Sequence, residues 1–167
     1  RLNIWTGRLG DFQGSKAFDK AFVDRVLESC AAQLDWLMEH PARANNIRFT
    51  NAETLMFAGL RLTGLPQAEK WKRAGAWMAN DAVNRQFYDD GAHVEGCYGY
   101  NQFYKVRICW LLGRSYPELE LRVDPKRLAK MYDYRLALTL PNGRGDSIND
   151  SRYHSNTGPR PADWADW

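Results

Sequence analysis

Histidine and cysteine are scarce in this chain, with three of each among 167 residues. The cysteines (Cys30, Cys97, Cys109) are too few and too irregularly spaced for a disulfide framework or a zinc ribbon, so they read as reduced thiols with at most one pair. No apolar run is long enough to cross a bilayer, and no signal peptide opens the chain. Nor is there an excess of one charge sign: 23 Lys and Arg stand against 20 Asp and Glu, a formal balance of +3. A dedicated nucleic-acid binder concentrates a basic stripe, so no nucleic-acid partner is expected. Period-two alternation, the mark of half-buried strands, is absent, and no fixed repeat signals a solenoid. What is plentiful is apolar and aromatic. Hydrophobic residues make up 44% of the chain, enough to bury a core, and aromatics 13%, with seven Trp and eight Tyr. Flat rings in excess of core needs stack on flat partners such as sugars, although most single rings fill gaps between helices.

Helical periodicity fills the space the missing strands leave. "SKAFDKAFVDRVLESCAAQLDWLMEH" places Phe18, Phe22, Val26, Leu27, Leu34, Leu37 and Met38 on one face and ends before Pro41. In "TNAETLMFAGLRL", Thr50 and Glu53 have capping-box spacing, which predicts a second helix from near Asn51. Its buried stripe is Leu55, Met56, Gly59 and Leu62, with Gly59 allowing close packing. A third helix follows Pro66 and runs to about Phe87. "YNQFYKVRICWLLG" predicts a fourth, stopped at Gly113, and Asp124 with Pro125 opens a fifth. "PNGRGDSINDSR" is turn chemistry. The expected fold is all-α, a single domain over residues 1–167 built of antiparallel helical hairpins, and therefore part of an (α/α) toroid or barrel whose loops gather at one rim. The opening "RLNIWTGRLGDF" lacks an initiator Met and the closing "PRPADWADW" lacks a capped element, so the chain reads as a segment that packs against further parts of the same protein.

Two loops concentrate the chemistry, "PARANN" and "DDGAHVEGCYGYNQFY". "NNIRFTNAETLMFAGL" (Asn45 to Leu60) resembles the heparinase II/III and alginate lyase pattern, in which an Asn-His pair precedes a helix. "DGAHVEGCYGYNQFY" resembles that family's second signature: Asp90, Gly91, Glu95, then Tyr100 and Asn101. "LPNGRGDSINDS" resembles its Pro-x-Gly turn leading to an Asp-Ser pair, here Asp150 and Ser151. The three lie in order across roughly residues 40 to 151. The resemblance implies a polysaccharide lyase that cleaves an acidic, uronate-containing glycan by β-elimination, periplasmic or secreted. It also implies that a C-terminal β-sandwich, which in the family supplies another catalytic His and often a metal site, has no counterpart here. No cofactor is expected in this chain.

Elimination requires removal of a weakly acidic C5 proton beside a carboxylate. The enolate must be stabilised, and a base and an acid must serve the proton and the leaving oxygen. By resemblance, Asn46 neutralises the carboxylate and Tyr100 is the acid/base. Arg48, His93, Glu95, Asn101 and Tyr104 are the expected substrate-binding residues. Phenol titrates near ~10, so Tyr100 needs a cationic field, for which Arg43, Arg48 and Arg107 are candidates. Two positions depart from the pattern: Ile47 and Asn101 stand where the family carries His. His93, two residues before Glu95, is the candidate to compensate. Taken singly, each has a plainer reading: Asn46 as a turn cap, Tyr100 as a core ring, His93 as a loop histidine, Tyr98 and Tyr104 as packing. Asp90 with Glu95 also permits a glycoside hydrolase on an α/α barrel. A non-catalytic glycan-binding helical domain is the third reading. The Arg144–Asp146 "RGD" carries no weight for adhesion.

Overall fold

The computed structural model describes residues 2–12, 14–99, 103–145 and 148–149. Among these residues six α-helices follow in order: α1 (Leu2–Arg8), α2 (Lys20–Glu39), α3 (Asn45–Arg61), α4 (Ala68–Arg85), α5 (Phe103–Ser115) and α6 (Pro125–Ala137), with short 3-10 turns at Leu9–Phe12 and Pro117–Leu119. Among the described residues the only extended pairings are two isolated bridges, Phe87 with His93 and Thr139 with Gly145. The backbone divides into two compact units, one of residues 1–43 with 47–79, the other of 44–46 with 80–167.

In the first unit, α2 starts where Asp19 caps it, its side chain accepting the Phe22 N–H at 2.7 Å. The α3 and α4 helices run antiparallel at backbone contact. A Cβ on Gly59 would lie 2.5 Å from the Ala68 carbonyl, and one on Gly75 would lie 2.5 Å from the Met56 nitrogen. As the number rises along one helix, the partner's number falls, and the two glycines let the ridges close. Phe49, Leu55, Met56 and Trp71 fill the core beside them. Trp71 is fully buried, and its indole N–H donates to Asp35 on α2 at 2.7 Å, so the ring's one polar atom is satisfied. Leu62, expected in the α3 stripe, is half-buried.

In the second unit, α5 and α6 pack antiparallel, with Phe103 at the start of one meeting Tyr132 near the end of the other, ring centroids 5.0 Å apart. Asp124 caps α6 through the Lys126 N–H, as its Asp-Pro start predicts. All three cysteines are buried and none forms a disulfide; burial pushes the Cys30 thiol up from its ordinary value.

Three boundaries differ from the sequence expectation. The α3 helix begins at Asn45, six residues before Asn51, and Thr50 lies inside it. Its first turn is satisfied by a distant carboxylate rather than by Thr50, and the Asn51 side chain accepts the Ala42 N–H at 2.9 Å instead. The α5 helix continues through Gly113 to Ser115, and Gly113 lies close against Leu121, where a Cβ would stand 3.1 Å from the Leu121 Cβ and carbonyl oxygen. Residues 2–8, in the stretch read as a cut end, form α1.

Candidate active site

The loop after α4 is built as a tight, pinned turn. The Tyr88 N–H donates to the Ala92 carbonyl and the Val94 N–H to the Gln86 carbonyl, both at 2.9 Å. Asp90 accepts the Ala92 N–H at 2.9 Å, the local bond that makes Asp a turn residue. Gly91 has φ +88, and any Cβ there would run into the Lys130 carbonyl of α6, so both conformation and space demand glycine. Arg127 on α6 donates to the Phe87 carbonyl at the end of α4, so a cation sits at a helix C-terminus.

His93 lies at the centre of this loop and is 1% exposed. Its Nδ1 faces the Glu95 N–H at 3.3 Å and its Nε2 the Gln86 Oε1 at 3.2 Å. A backbone N–H only donates, so Nδ1 must accept, and the ring is the neutral Nε2–H tautomer giving its proton to Gln86. Burial pushes the imidazole below its ordinary range, and the Glu95 charge opposes that more weakly. The ring's edge meets Phe87, centroids 5.0 Å apart. Both nitrogens are thus engaged by the protein itself.

Glu95, half-buried, turns its carboxylate to the start of α3: Oε1 accepts the Asn46 N–H at 3.0 Å, across 49 positions of sequence. Asn45, just before, has φ 68. That left-handed conformation costs most residues roughly 1–2 kcal/mol and is best tolerated by Asn, whose short polar side chain bonds locally. Asn46 and Glu95, 49 positions apart, therefore meet through this bond. Asn46 is half-buried, and Ile47 after it is 61% exposed.

Arg48 is half-buried, donates to the Ala42 carbonyl at 3.0 Å and stands 5.6 Å from the centre of the Trp77 ring. Tyr104 is 46% exposed, with the Lys105 ammonium 6.0 Å from its ring centre. Tyr100 and Asn101 lie outside the described residues, as do Asp150 and Ser151. The "PNGRG" turn forms at 140–145, closed by the Leu140 N–H donating to the Arg144 carbonyl at 2.8 Å. Among the described residues no group of three or more His, Cys, Asp or Glu is arranged to hold a metal ion, and no helix is long and apolar enough to cross a membrane.

One residue went unnoticed in the sequence. Arg135 of α6 is buried, its guanidinium 4.2 Å from the Tyr98 ring centre and 4.4 Å from that of Phe103. It grips both flanks of the Tyr-rich loop by cation–π contact. The signal was available: Leu128, Met131, Tyr132 and Arg135 share one buried stripe, and an arginine in such a stripe marks a cation with work inside the fold.

Helices joined by loops, with Glu95 of one loop tied to the start of α3, define an all-α protein. The Heparinase II/III N-terminus family model matches residues 1–161, and this chain belongs to that family. It is 32% identical over 84 residues to a heparin-sulfate lyase of Pedobacter heparinus, covering 50% of this chain and 13% of that protein. It is 30% identical over 96 residues to a heparin-sulfate lyase of Bacteroides thetaiotaomicron, covering 53% and 14%. A crystal structure of heparinase III superposes with a TM-score of 0.74 at 24% identity, covering 85% of this chain and 22% of that one. A heparan sulfate lyase structure from Pedobacter heparinus gives 0.59 at 23%, covering 93% and 26%. The chain thus spans a minor part of each relative's length. The fold these neighbours share with it is that of their N-terminal helical toroid, as the hairpin reading expected.

Proposed function

We propose that this chain is the helical part of a polysaccharide lyase that cleaves an acidic, uronate-containing glycan of the heparan type by β-elimination, outside the cytoplasm. The observation that carries the reading is Asn46, fixed at the first turn of α3 by Glu95 from the second signature loop. Two motifs far apart in sequence then serve one place, as a site assembled from loops requires. The names of the relatives, heparin-sulfate lyases, support the substrate class. In this reading the Asn46 amide stabilises the carboxylate as the enolate develops, and Tyr100 moves the proton. Arg48, Tyr104 and Asn101 contact the sugar. The hydrolase alternative is weaker, since Asp90 and Glu95 each accept a backbone N–H of the fold.

The test is product chemistry with the complete gene product on heparan sulfate, heparin and alginate. Elimination leaves an unsaturated, ultraviolet-absorbing uronate, whereas hydrolysis leaves none. Tyr100→Phe is expected to lower kcat by ~10²–10⁴-fold with substrate affinity little changed, the scale of a lost general acid–base group. Asn46→Ala is expected to cost roughly 3–4 kcal/mol of transition-state stabilisation, as for one preorganised donor. Reducing-end release without new absorbance would overturn the reading.

A further inference from the structure

We infer that Glu95 is a positioning residue: its carboxylate, carried on a backbone braced by the buried His93–Gln86 pair, fixes the backbone at Asn46 and so sets the direction in which that side chain leaves α3. The inference deepens the lyase reading and rests on its assignment of Asn46. The first N–H groups of a helix have no intrahelical acceptor, and a Ser, Thr, Asp or Asn just before the helix usually supplies one. At α3 the first turn is unusual. Asn45 is left-handed at φ 68, and the Asn46 N–H is taken instead by Glu95 from a different loop at 3.0 Å.

The backbone that carries this carboxylate is itself held. The Glu95 N–H donates to His93 Nδ1 at 3.3 Å, and His93 Nε2–H donates to Gln86 Oε1 at 3.2 Å. Gln86 is 4% exposed and bonded through its backbone to Ala82 and Val94. After Glu95 the chain reverses at Gly96, φ +59, whose carbonyl accepts from the Asn149 side chain at 2.8 Å. Hydrogen bonds thus tie Gln86 through His93 to the Glu95 backbone, and the Glu95 carboxylate to Asn46, and the half-buried member is the acid that touches the helix start. A charge placed there lies against the positive end of α3, where it is stabilised. Spent on a backbone N–H, it is also kept from meeting the substrate's own carboxylate, which it would repel.

A purely structural cap and a positioning residue differ in how they couple to Asn46. Kinetics of Glu95→Ala, Asn46→Ala and the double variant in the complete gene product separate them. Glu95→Ala is expected to lower kcat roughly 10²-fold with KM little changed, the effect of misplacing a reacting group by about an ångström. In the Asn46→Ala background the same change is expected to cost nothing further, because there is no amide left to place. Glu95→Gln, which keeps an acceptor oxygen, is expected to recover most of the loss. Where Glu95→Ala does not fold, Glu95→Asp, shorter by one methylene, takes its place in the cycle. Equal losses in both backgrounds, or no recovery by Glu95→Gln, would overturn the inference. Hydrogen exchange at the Asn46 amide reads the same bond without turnover, and exchange unchanged by Glu95→Ala overturns it as well. The two readings fail differently: an unmodified protein that makes no unsaturated product sinks the lyase reading, while one that makes it with an additive cycle sinks only the positioning role.

Discussion

His93 is a base that the fold keeps neutral, and its burial gives stability a pH dependence of definite sign. Its folded pKa lies below the ordinary value because desolvation outweighs the nearby Glu95 charge. Near the unfolded value of about 6.5, the unfolded chain therefore binds more protons than the folded one. The contribution is present in full above that value and is lost as pH falls from it toward the folded pKa. Denaturation midpoints of the unmodified chain and His93→Gln, compared at about pH 7.5 and about pH 5, are expected to show the unmodified chain losing more on acidification. A parallel shift would leave His93 with no part in it. From its residue type and place in the loop, His93 was legible only as a substrate contact or an ordinary histidine. Its burial follows from the ring lying against Phe87, and the 86–94 pairing that brings them together is not a local pattern. Asn46 and Glu95 were legible as motif members, yet their bond, between positions 49 apart, was not. Ile47 belongs to the same scale. At 61% exposure it can change with little effect on stability, within about 0.5 kcal/mol. Ile47→His places an imidazole beside Asn46, where the resembled pattern has one; on the lyase reading proposed above, elimination by the complete gene product is expected to quicken about tenfold or more in kcat assays. An unchanged rate would mean that the site works without that group.

At the scale of elements, the helices were readable because their apolar spacing and caps act within a few residues. Asp124 with Pro125 marked the start of α6 correctly, and Gly59 marked the close approach of α3 to α4. The start of α3 was misplaced because the group that decides it lies elsewhere in the chain. Glu95 supplies the acceptor that lets α3 start at Asn45, and α5 runs on past Gly113, which lies close against Leu121. The α3–α4 contact supports a direct expectation. Gly75→Ala gains about 1 kcal/mol of helix propensity, but its new Cβ would stand 2.5 Å from the Met56 nitrogen and 2.6 Å from the Ala52 carbonyl. Backbone atoms cannot step aside as a flexible side chain does. Overpacking of this kind costs about 1–3 kcal/mol and the van der Waals overlap here is severe, so net destabilisation of about 2 kcal/mol is expected by urea denaturation. A stabilised variant would show that the two helices separate at little cost.

For the molecule as a whole, the abundance of rings in the composition takes a physical form on the first unit. Ile4, Trp5, Leu9, Phe12, Phe18 and Phe22 line an open groove of about 680 Å³, formed where α1 and its 3-10 turn meet the start of α2. On the same unit Trp36 and Trp77 are 60% and 63% exposed. Scattered apolar residues are normal on a protein surface, but contiguous rings at this density present a patch that water wets poorly. Composition could announce the excess of aromatics and not its location, since no periodicity distinguishes a ring on a buried stripe from one on an open one. A dye such as ANS, which fluoresces on apolar surface, is therefore expected to bind the 167-residue chain while its near-ultraviolet circular dichroism stays intact. Retained dichroism separates a folded patch from a loosened core, which would also bind dye but lose the signal. Phe12→Ser with Phe22→Ser removes two rings that are 56% and 41% exposed, one at each side of Phe18. Because much of each ring already meets water, stability should fall by only about 1 kcal/mol per site. Dye fluorescence should fall clearly, and full fluorescence in that variant would place the dye's surface somewhere other than this groove.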